Sequence, residues 1–122
     1  SVGTLSGGNT TATVSAASTS AAGKVELATT AEALAGTDTA RAVTAAGLAA
    51  RSFKATIGDG SDVDIAVTHN LGTRDVVVQL YDASDYKTIY AEVVRTDANT
   101  VTINTNTAIA TNDCIVLVTK ID

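Results

Sequence analysis

Few side chains in this sequence could carry chemistry, and the first is its single histidine, His69. A catalytic or metal-binding histidine needs partner side chains. Asp64 and Asp75 lie near it in sequence, but no second histidine or pair of cysteines completes a zinc site. The residues that follow include Asn70 and Gly72, which tolerate unusual backbone angles. We therefore favour a structural turn, in which the imidazole bonds to the backbone, over a catalytic or metal site.

Two groups of aspartates have spacings that known sites also use. Asp59, Asp62 and Asp64 lie around two glycines, but the bidentate glutamate that ends a calcium loop is missing, so we interpret them as solvated turn carboxylates. Asp82 and Asp85 could act as the two acids of a glycosidase, which face each other across a cleft with one pKa raised. A domain this small, with loops this short, offers little room for such a cleft. We therefore predict no enzyme activity, no metal and no cofactor.

The remaining candidates are one cysteine and three tyrosines. Cys114 begins a strongly apolar run and is expected to be a small buried side chain. Tyr86 falls in a predicted turn and is expected to be exposed, where a tyrosine offers contact area at low entropy cost for glycan or protein recognition. Tyr81 and Tyr90 are expected to fill the core instead. The predicted recognition surface consists of Ser84, Asp85, Tyr86 and Lys87.

Charge and hydropathy argue against two classes of partner. With 8 basic and 13 acidic residues the chain has a net charge of −5, whereas nucleic-acid binding requires a basic face. No apolar run approaches the length that crosses a bilayer, and the start of the chain lacks the basic and apolar regions of a signal peptide. We expect no nucleic-acid partner and no membrane insertion. The start at Ser1 rather than Met leaves open a processed chain or a piece of a longer protein.

Residues 1–22 differ from the rest of the chain in composition. They are almost wholly small and polar, and they contain no charged and no aromatic side chain. Such a segment cannot order itself by burying apolar surface of its own. We predict an extended anchoring or shaft segment that neighbouring chains or a larger particle hold in place. The residues best suited to an extended strand there are the β-branched Thr10, Thr11, Thr13 and Val14.

The next segment, residues 23–51, predicts one short strand and two short helices. Lys24–Thr29 alternates apolar and charged side chains, which is typical of a half-buried strand. Thr30 is the expected N-cap of a first helix that stops at Gly36. A second helix is expected within Thr39–Ala50. Its candidate N-caps are Thr44 or, for an earlier start, Asp38 or Thr39.

Both predicted helices are too short to be stable alone. Each presents a face of alanine, and small side chains let copies of a chain approach closely around an axis. We therefore predict that this segment forms a collar between chains. Its apolar contact residues are expected to be Val25, Leu27, Val43 and Leu48.

From residue 52 onward the sequence has the alternation of β-strands. Apolar residues recur at every second position in runs such as Phe53–Ile57 and Thr100–Asn104, and polar turns separate the runs. Six or seven short strands at this spacing predict a small antiparallel β-sandwich or barrel over residues 52–122. The turn before Thr100 is expected to be a hairpin in which Asn99 tolerates a positive φ. A domain of this size without a disulfide is marginal alone, so oligomerisation is the expected source of stability.

Two stretches of the sequence resemble proteins of tailed bacteriophages. Residues 23–51, GKVELATTAEALAGTDTARAVTAAGLAAR, resemble a module of tail-fibre and other appendage proteins. That module reads G-x-V-x-L-A-T, then a short turn rich in Ala, Glu and Gly, then T-D-x-x-R-A-V-T-x-x-G-L. The matching residues are Gly23, Val25, Leu27, Ala28, Thr29, Thr37, Asp38, Arg41, Ala42, Val43, Thr44, Gly47 and Leu48.

The second resemblance lies in the strand-rich part of the chain. The strings HNLGTRDVVVQLYD (residues 69–82) and VVRTDANTVTI (residues 93–103), followed by a last apolar strand, are similar to a C-terminal β-domain of phage virion proteins. The matching residues are His69, Asn70, Leu71, Gly72, Thr73, Asp75, Val76, Val78, Asp97, Asn99, Thr100 and Val101.

These resemblances imply a non-enzymatic structural part of a virion appendage, such as a tail or head fibre or spike. The protein would be made in the bacterial host cytoplasm and carried on the virion surface. The expected fold is mainly β and an intertwined homotrimer, in which residues 1–22 form an arm on other virion proteins, residues 23–51 a collar and residues 52–122 a knob. The alternative is a receptor-binding knob that contacts host surface glycan or protein during adsorption, through Ser84–Lys87.

Overall fold

The computed structural model describes residues 14–122, and in that range two short helices precede seven strands. Of the arm predicted over residues 1–22, residues 1–13 lie outside the described range, and residues 14–22 are all exposed. The elements are α1 Thr30–Ala35, α2 Ala45–Ala49, β1 Ser52–Ile57, β2 Asp64–Thr68, β3 Val76–Asp82, β4 Thr88–Ile89, β5 Glu92–Asp97, β6 Thr100–Asn104 and β7 Cys114–Lys120.

The strands form two antiparallel sheets, in the orders β1-β7-β3-β4 and β2-β6-β5. Side-chain alternation decides which residues point inward. In β6, Val101 and Ile103 are fully buried, while the polar residues between and beside them are only half-buried. The strand β7, which pairs with β1 and β3, is buried at three consecutive residues, Cys114–Val116. Side chains on both of its faces are therefore covered at that end.

Both sheets contribute to one hydrophobic core. Its buried members are Ile57, Val67, Leu71, Val76, Leu80, Val101, Ile103, Cys114, Val116 and Val118. Within residues 14–122 the sheets do not join into a barrel, because β1 pairs only with β7 and β5 only with β6. The prediction of a mainly β, antiparallel fold is therefore confirmed, whereas the barrel alternative is wrong.

The start of the helical segment, residues 23–51, differs from its prediction. Lys24–Thr29 is not a strand: it makes only isolated bridges, Ala16 with Lys24 and Leu27 with Ala42. Its side chains find no sheet to pack on, so Val25 and Leu27 are about half exposed or more, at 49% and 64%. The alternating pattern was therefore insufficient, since a strand also needs partners for its backbone groups.

The N-cap of α1 is Thr29 rather than the predicted Thr30. The Thr29 hydroxyl accepts a hydrogen bond from the Glu32 N–H (3.2 Å), and the Glu32 carboxylate accepts one from the Thr29 N–H (2.8 Å). This capping box requires a spacing of three residues, which Thr30 does not have. The helix ends at Gly36, with φ 70°, as predicted. Thr44 caps α2, which settles the alternatives left open by the sequence.

Polar contacts attach the helical segment to the β-domain, residues 52–122. Lys120 Nζ donates to Leu34 O (2.6 Å), and Arg51 Nη2 donates to Asp122 O (2.7 Å). Within the segment, Arg51 Nη1 donates to the carbonyl oxygens of Ala33 and Leu34 (both 3.2 Å). These carbonyls lie in the last turn of a helix and have no intrahelical donor. The Leu34 side chain packs against the edge of the core. Two cations thus bond to carbonyl oxygens in the last turn of α1, which Gly36 caps, and Lys120 links that turn to β7.

Candidate functional site

The turn at His69–Gly72 is built from backbone hydrogen bonds. His69 Nδ1 accepts from the Leu71 N–H (3.1 Å), and the Leu71 side chain is buried in the core. Asn70 and Gly72 have φ of 56° and 74°, left-handed values that asparagine and glycine adopt most easily. The imidazole therefore bonds to the backbone of its own turn, as the structural interpretation of this residue expects.

The electrostatics of His69 follow from this geometry. The side chain is 3% exposed, and because Nδ1 accepts a hydrogen bond, the proton of the neutral ring is on Nε2. Nε2 has no hydrogen-bond partner among the described residues. Burial lowers the pKa of His69 below its ordinary value, and the carboxylate of Asp97 opposes this only in part. A protonated ring would turn Nδ1 into a donor aimed at the Leu71 N–H.

Asn99 holds this turn against the hairpin between β5 and β6. Its carbonyl oxygen accepts from the N–H groups of His69 (2.8 Å) and Asn70 (3.2 Å), and its side-chain Oδ1 accepts from the Gly72 N–H (3.0 Å). The predicted hairpin joins β5 and β6, although Asn99 does not use the positive φ that its type tolerates. The Asp97 carboxylate shapes the hairpin instead, by accepting from the Asn99 N–H (2.7 Å).

The predicted recognition surface lies on the loop between β3 and β4. Asp82 Oδ1 accepts from the Ser84 and Asp85 N–H groups, and Asp85 Oδ1 accepts from the Lys87 N–H (3.0 Å). The Ser84 hydroxyl donates to Asp113 Oδ1 (2.7 Å), which ties the loop to the start of β7. Asp82 and Asp85 therefore order the backbone of this loop.

Tyr86 is the most distinctive residue of that loop. It is 77% exposed and has φ 63°, a conformation that is unfavourable for a bulky side chain and that glycine or asparagine usually occupies. Its ring stacks on that of Tyr81, with centroids 6.2 Å apart and planes at 27°. The Tyr86 ring is therefore largely exposed while it contacts the ring of Tyr81.

Tyr90 departs from the sequence prediction. It was expected in the core, but it is 93% exposed. Ile89 and Ala91, on either side, pack against the core instead, and Tyr90 is exposed in the connection between β4 and β5. The pattern identifies two faces but does not by itself say which of them meets the core.

The predicted collar residues share one property, which is exposure. Val25, Leu27, Val43 and Leu48 are 49%, 64%, 59% and 65% exposed. The residues of the segment that are buried are small ones, Ala28 and Gly47. A Cβ added to Gly47 would stand 2.8 Å from the Cβ of Ala33, so this motif glycine lets α1 and α2 pack in close contact.

The charged residues of the same motif hold the segment together. Asp38 Oδ1 accepts from the Ala40 and Arg41 N–H groups, at 2.7 and 3.0 Å. The Arg41 guanidinium pairs with Asp38, with Glu26 (3.3 Å) and with Glu32 (3.5 Å). The hydrogen bond from the Thr29 N–H is the main cause that lowers the pKa of Glu32. These residues form a structural network on the surface.

The other chemical candidates occupy structural positions. Asp59 Oδ1 accepts from the Ser61 and Asp62 N–H groups (both 2.8 Å), as a turn carboxylate does. Among residues 14–122, no cluster of three or more His, Cys, Asp or Glu side chains could hold a metal ion. Cys114 is fully buried, and burial raises the pKa of its thiol.

Comparison of the chain with protein-family models, curated proteins and solved structures found no match. In the described range, no helix has the length and apolar character needed to cross a membrane. Two groups of exposed residues are candidates for contact with a partner. They are the aliphatic residues of the helical segment and the tyrosines Tyr86 and Tyr90 of the β-domain.

Proposed function

We propose that this protein is a non-enzymatic structural component of a bacteriophage virion appendage, in which residues 23–51 hold three chains together. The family is suggested by the two sequence resemblances. The observation that carries the assembly is the exposure of aliphatic side chains in the helical segment. The β-domain would then form the knob, and residues 1–22 would contact other virion proteins.

The four aliphatic side chains of the predicted collar support self-association. Val25, Leu27, Val43 and Leu48 are each about half exposed or more, within a stretch of 24 residues. Single exposed apolar residues are common on monomers, whereas a contiguous apolar patch marks an interaction surface. We infer that these four side chains contribute to such a patch. A second copy of the same segment offers matching aliphatic surface.

The weakness of the segment on its own supports the same proposal. Its helices have 6 and 5 residues, far fewer than an isolated helix needs. Polar caps order its backbone, but few of its side chains are buried. Association would bury the exposed aliphatic residues and add the hydrophobic stabilisation that the single chain lacks.

Sedimentation equilibrium at micromolar concentration tests the assembly. We expect three chains of 12.3 kDa each in the folded species. Native mass spectrometry of the same sample provides an independent count of chains. A folded species with the mass of a single chain across this range would overturn the proposed trimer.

The alternative function is a receptor-binding knob that contacts host glycan or protein through Ser84–Lys87. The observation that favours it is Tyr86, an exposed ring held in a left-handed backbone conformation, since strain of this kind concentrates at ligand sites. Labelled full-length protein should bind cells of a susceptible bacterial strain, and Tyr86→Ala should reduce binding. If no strain in a panel binds, only the structural role remains.

A further inference from the structure

A groove opens on the β-domain where the chain passes from one sheet to the other. Strand β3 pairs with β7 along its whole length, but with β4 only at Leu80–Ile89 and Tyr81–Thr88. After Ile89 the chain leaves this sheet, and it continues as β5 in the other sheet. The groove between β3 and the segment 88–93 has a volume of about 400 Å³, and Tyr90 lines it. This volume lies within the range of small-molecule sites.

The edge of β3 that borders the groove is closed at both ends. At one end is the short ladder with β4, which begins at Leu80. At the other end, Arg95 Nη2 and Nε donate to the carbonyl oxygen of Val76, at 2.7 and 3.2 Å. Only Val77–Gln79 lies between them without a neighbouring strand on this side in the described part of the chain. Strand addition depends on a run of main-chain hydrogen bonds, so this edge is too short for an extended peptide.

The groove combines apolar walls with a few polar groups and carries no charge. Gln79 and Thr88 are exposed and contribute an amide and a hydroxyl, and Tyr90 contributes a phenol. None of its nine lining residues is charged, although the chain as a whole has 21 charged residues and a net charge of −5. The lining residues are Val77, Val78, Gln79, Leu80, Thr88, Ile89, Tyr90, Ala91 and Val93.

This chemistry matches an uncharged sugar better than a charged ligand or an aliphatic protein surface. A pyranose ring has an apolar face of C–H groups, which packs on an aromatic ring, and a rim of hydroxyls, which bond to amides and hydroxyls. An anionic ligand would find no cation in the groove and would meet a negatively charged protein. Tyrosine supplies the aromatic surface at low entropy cost.

We propose that this groove binds a neutral hexose unit of a glycan, with the ring of Tyr90 against the apolar face of the sugar. Gln79 and Thr88 bond to its hydroxyls. The proposal rests on the receptor-binding alternative above, and it assigns the contact to the groove rather than to the 84–87 loop. Tyr81, near the end of β3, and Tyr86, in the loop between β3 and β4, stack on each other next to this strand pair.

The test is a titration of the isotopically labelled full-length protein with neutral hexose oligomers, namely gluco-, galacto- and mannohexaose, followed by amide chemical shifts. We expect at least one of them to shift the amides of residues 77–79 and 88–91. Tyr90→Ala should weaken that binding by about tenfold or more, as expected when a central aromatic contact is lost. Because Tyr90 is 93% exposed, this variant should keep the amide spectrum of the folded protein elsewhere.

Ile121→Ala is the control, because this side chain is 65% exposed and does not line the groove. It should change the affinity by less than about twofold, as a residue outside the contact does. The proposal is overturned if none of the three oligomers shifts the groove amides, or if Tyr86→Ala abolishes binding while Tyr90→Ala keeps it. The groove proposal would also be overturned if the unaltered protein binds cells and Tyr90→Ala binds them equally well. That result would still support the receptor-binding alternative. Groove binding to an oligomer without binding to any bacterial strain would support the groove and reject that alternative.

Discussion

The helical segment, residues 23–51, and the β-domain, residues 52–122, differ in where their apolar side chains lie. The β-domain encloses a set of large aliphatic residues between two sheets, with Val101, Ile103, Val116 and Val118 fully buried. In the helical segment Leu34 packs against that core, but the other large aliphatic residues are exposed, and among the described residues only Ala28 and Gly47 are buried. The β-domain therefore has its own hydrophobic core, whereas the helical segment leaves aliphatic surface uncovered by the residues that the structure describes.

Different interactions accordingly order the two regions. Hydrogen bonds and ion pairs hold the helical segment: the capping box at Thr29, the Arg41 network, and the contacts of Arg51 and Lys120 with α1. Such contacts select a conformation, but exposed ones add little net stability. Burial of apolar surface stabilises the β-domain. The comparison therefore predicts that core changes unfold the protein, while changes in the helical segment act on assembly.

The largest effect is expected from the core of the β-domain. Ile103→Ala should lower the free energy of unfolding by about 2–5 kcal/mol, because it removes apolar contacts and leaves a cavity. Chemical denaturation measures it. The control is Val77→Ala on the outer face, where the side chain is 54% exposed and the loss should be within about 0.5 kcal/mol. Equal losses in the two variants would mean that the two-sheet core is wrongly placed.

The second effect tests the exposed surface of the helical segment. Replacing Leu27 and Leu48 together by serine should weaken self-association by about tenfold or more, since they are the two most exposed of the four expected contact residues and truncation of key contact side chains has effects of this size. Sedimentation equilibrium over a range of concentrations gives the constant. The matched control pair, Val77 and Val94 replaced by serine, has similar exposure (54% and 49%) on the β-domain. An unchanged association constant in the Leu27 and Leu48 double variant would argue against the collar. An equal change in the Val77 and Val94 double variant would do the same.

A smaller effect is expected at Gly47, where α1 and α2 are closest. Gly47→Ala should destabilise the helical segment by about 1–3 kcal/mol, because the new Cβ would overlap with Ala33. Amide hydrogen exchange in α1 and α2 reports it locally. Gly72→Ala meets no atom within 4 Å but has φ 74°, so its cost of about 1–2 kcal/mol is conformational and should appear in the β-domain. Faster exchange in the β-domain for Gly47→Ala, or in α1 and α2 for Gly72→Ala, would contradict this prediction.

The smallest effect concerns the pH dependence at His69. Because burial lowers its folded-state pKa, the neutral ring contributes stability that is fully present above the unfolded pKa near 6.5. That contribution is lost as the pH falls from there towards the lower folded pKa. Urea denaturation at a series of pH values measures it. His69→Asn keeps a side-chain acceptor for the Leu71 N–H without titrating in this range, so its stability curve should be flatter below pH 6.5; an unchanged slope would remove His69 as the cause.

Much of the local structure could be predicted from the sequence. Alternation identified most of the strands, and the turn residues Asn70 and Gly72 have the left-handed angles that their types allow. Gly36 and Thr44 lie at the helix ends where their types predict a stop and a cap. The exposed Tyr86 and the buried Cys114 followed from their places in a turn and an apolar run. All of these depend on residues close together in the chain.

The sequence predictions were wrong where residues far apart in the chain determine the local structure. Alternation separated Tyr90 from Ile89 and Ala91, but the path from β4 to β5 decided which face meets the core. Lys24–Thr29 had the pattern of a strand, yet no sheet lies beside it. At Asn99 the residue type tolerates a positive φ that the structure does not use, and its role is to accept hydrogen bonds from a turn about thirty residues earlier.

The sequence by itself determined the periods, the turns and most of the helix ends, because propensity, chirality and capping act within a few residues. Only the tertiary structure decided which faces are buried, how Arg51 and Lys120 hold α1, and where a groove opens beside β3. Those features depend on the packing of two sheets and on contacts such as Lys120 to Leu34, which join residues far apart in the chain.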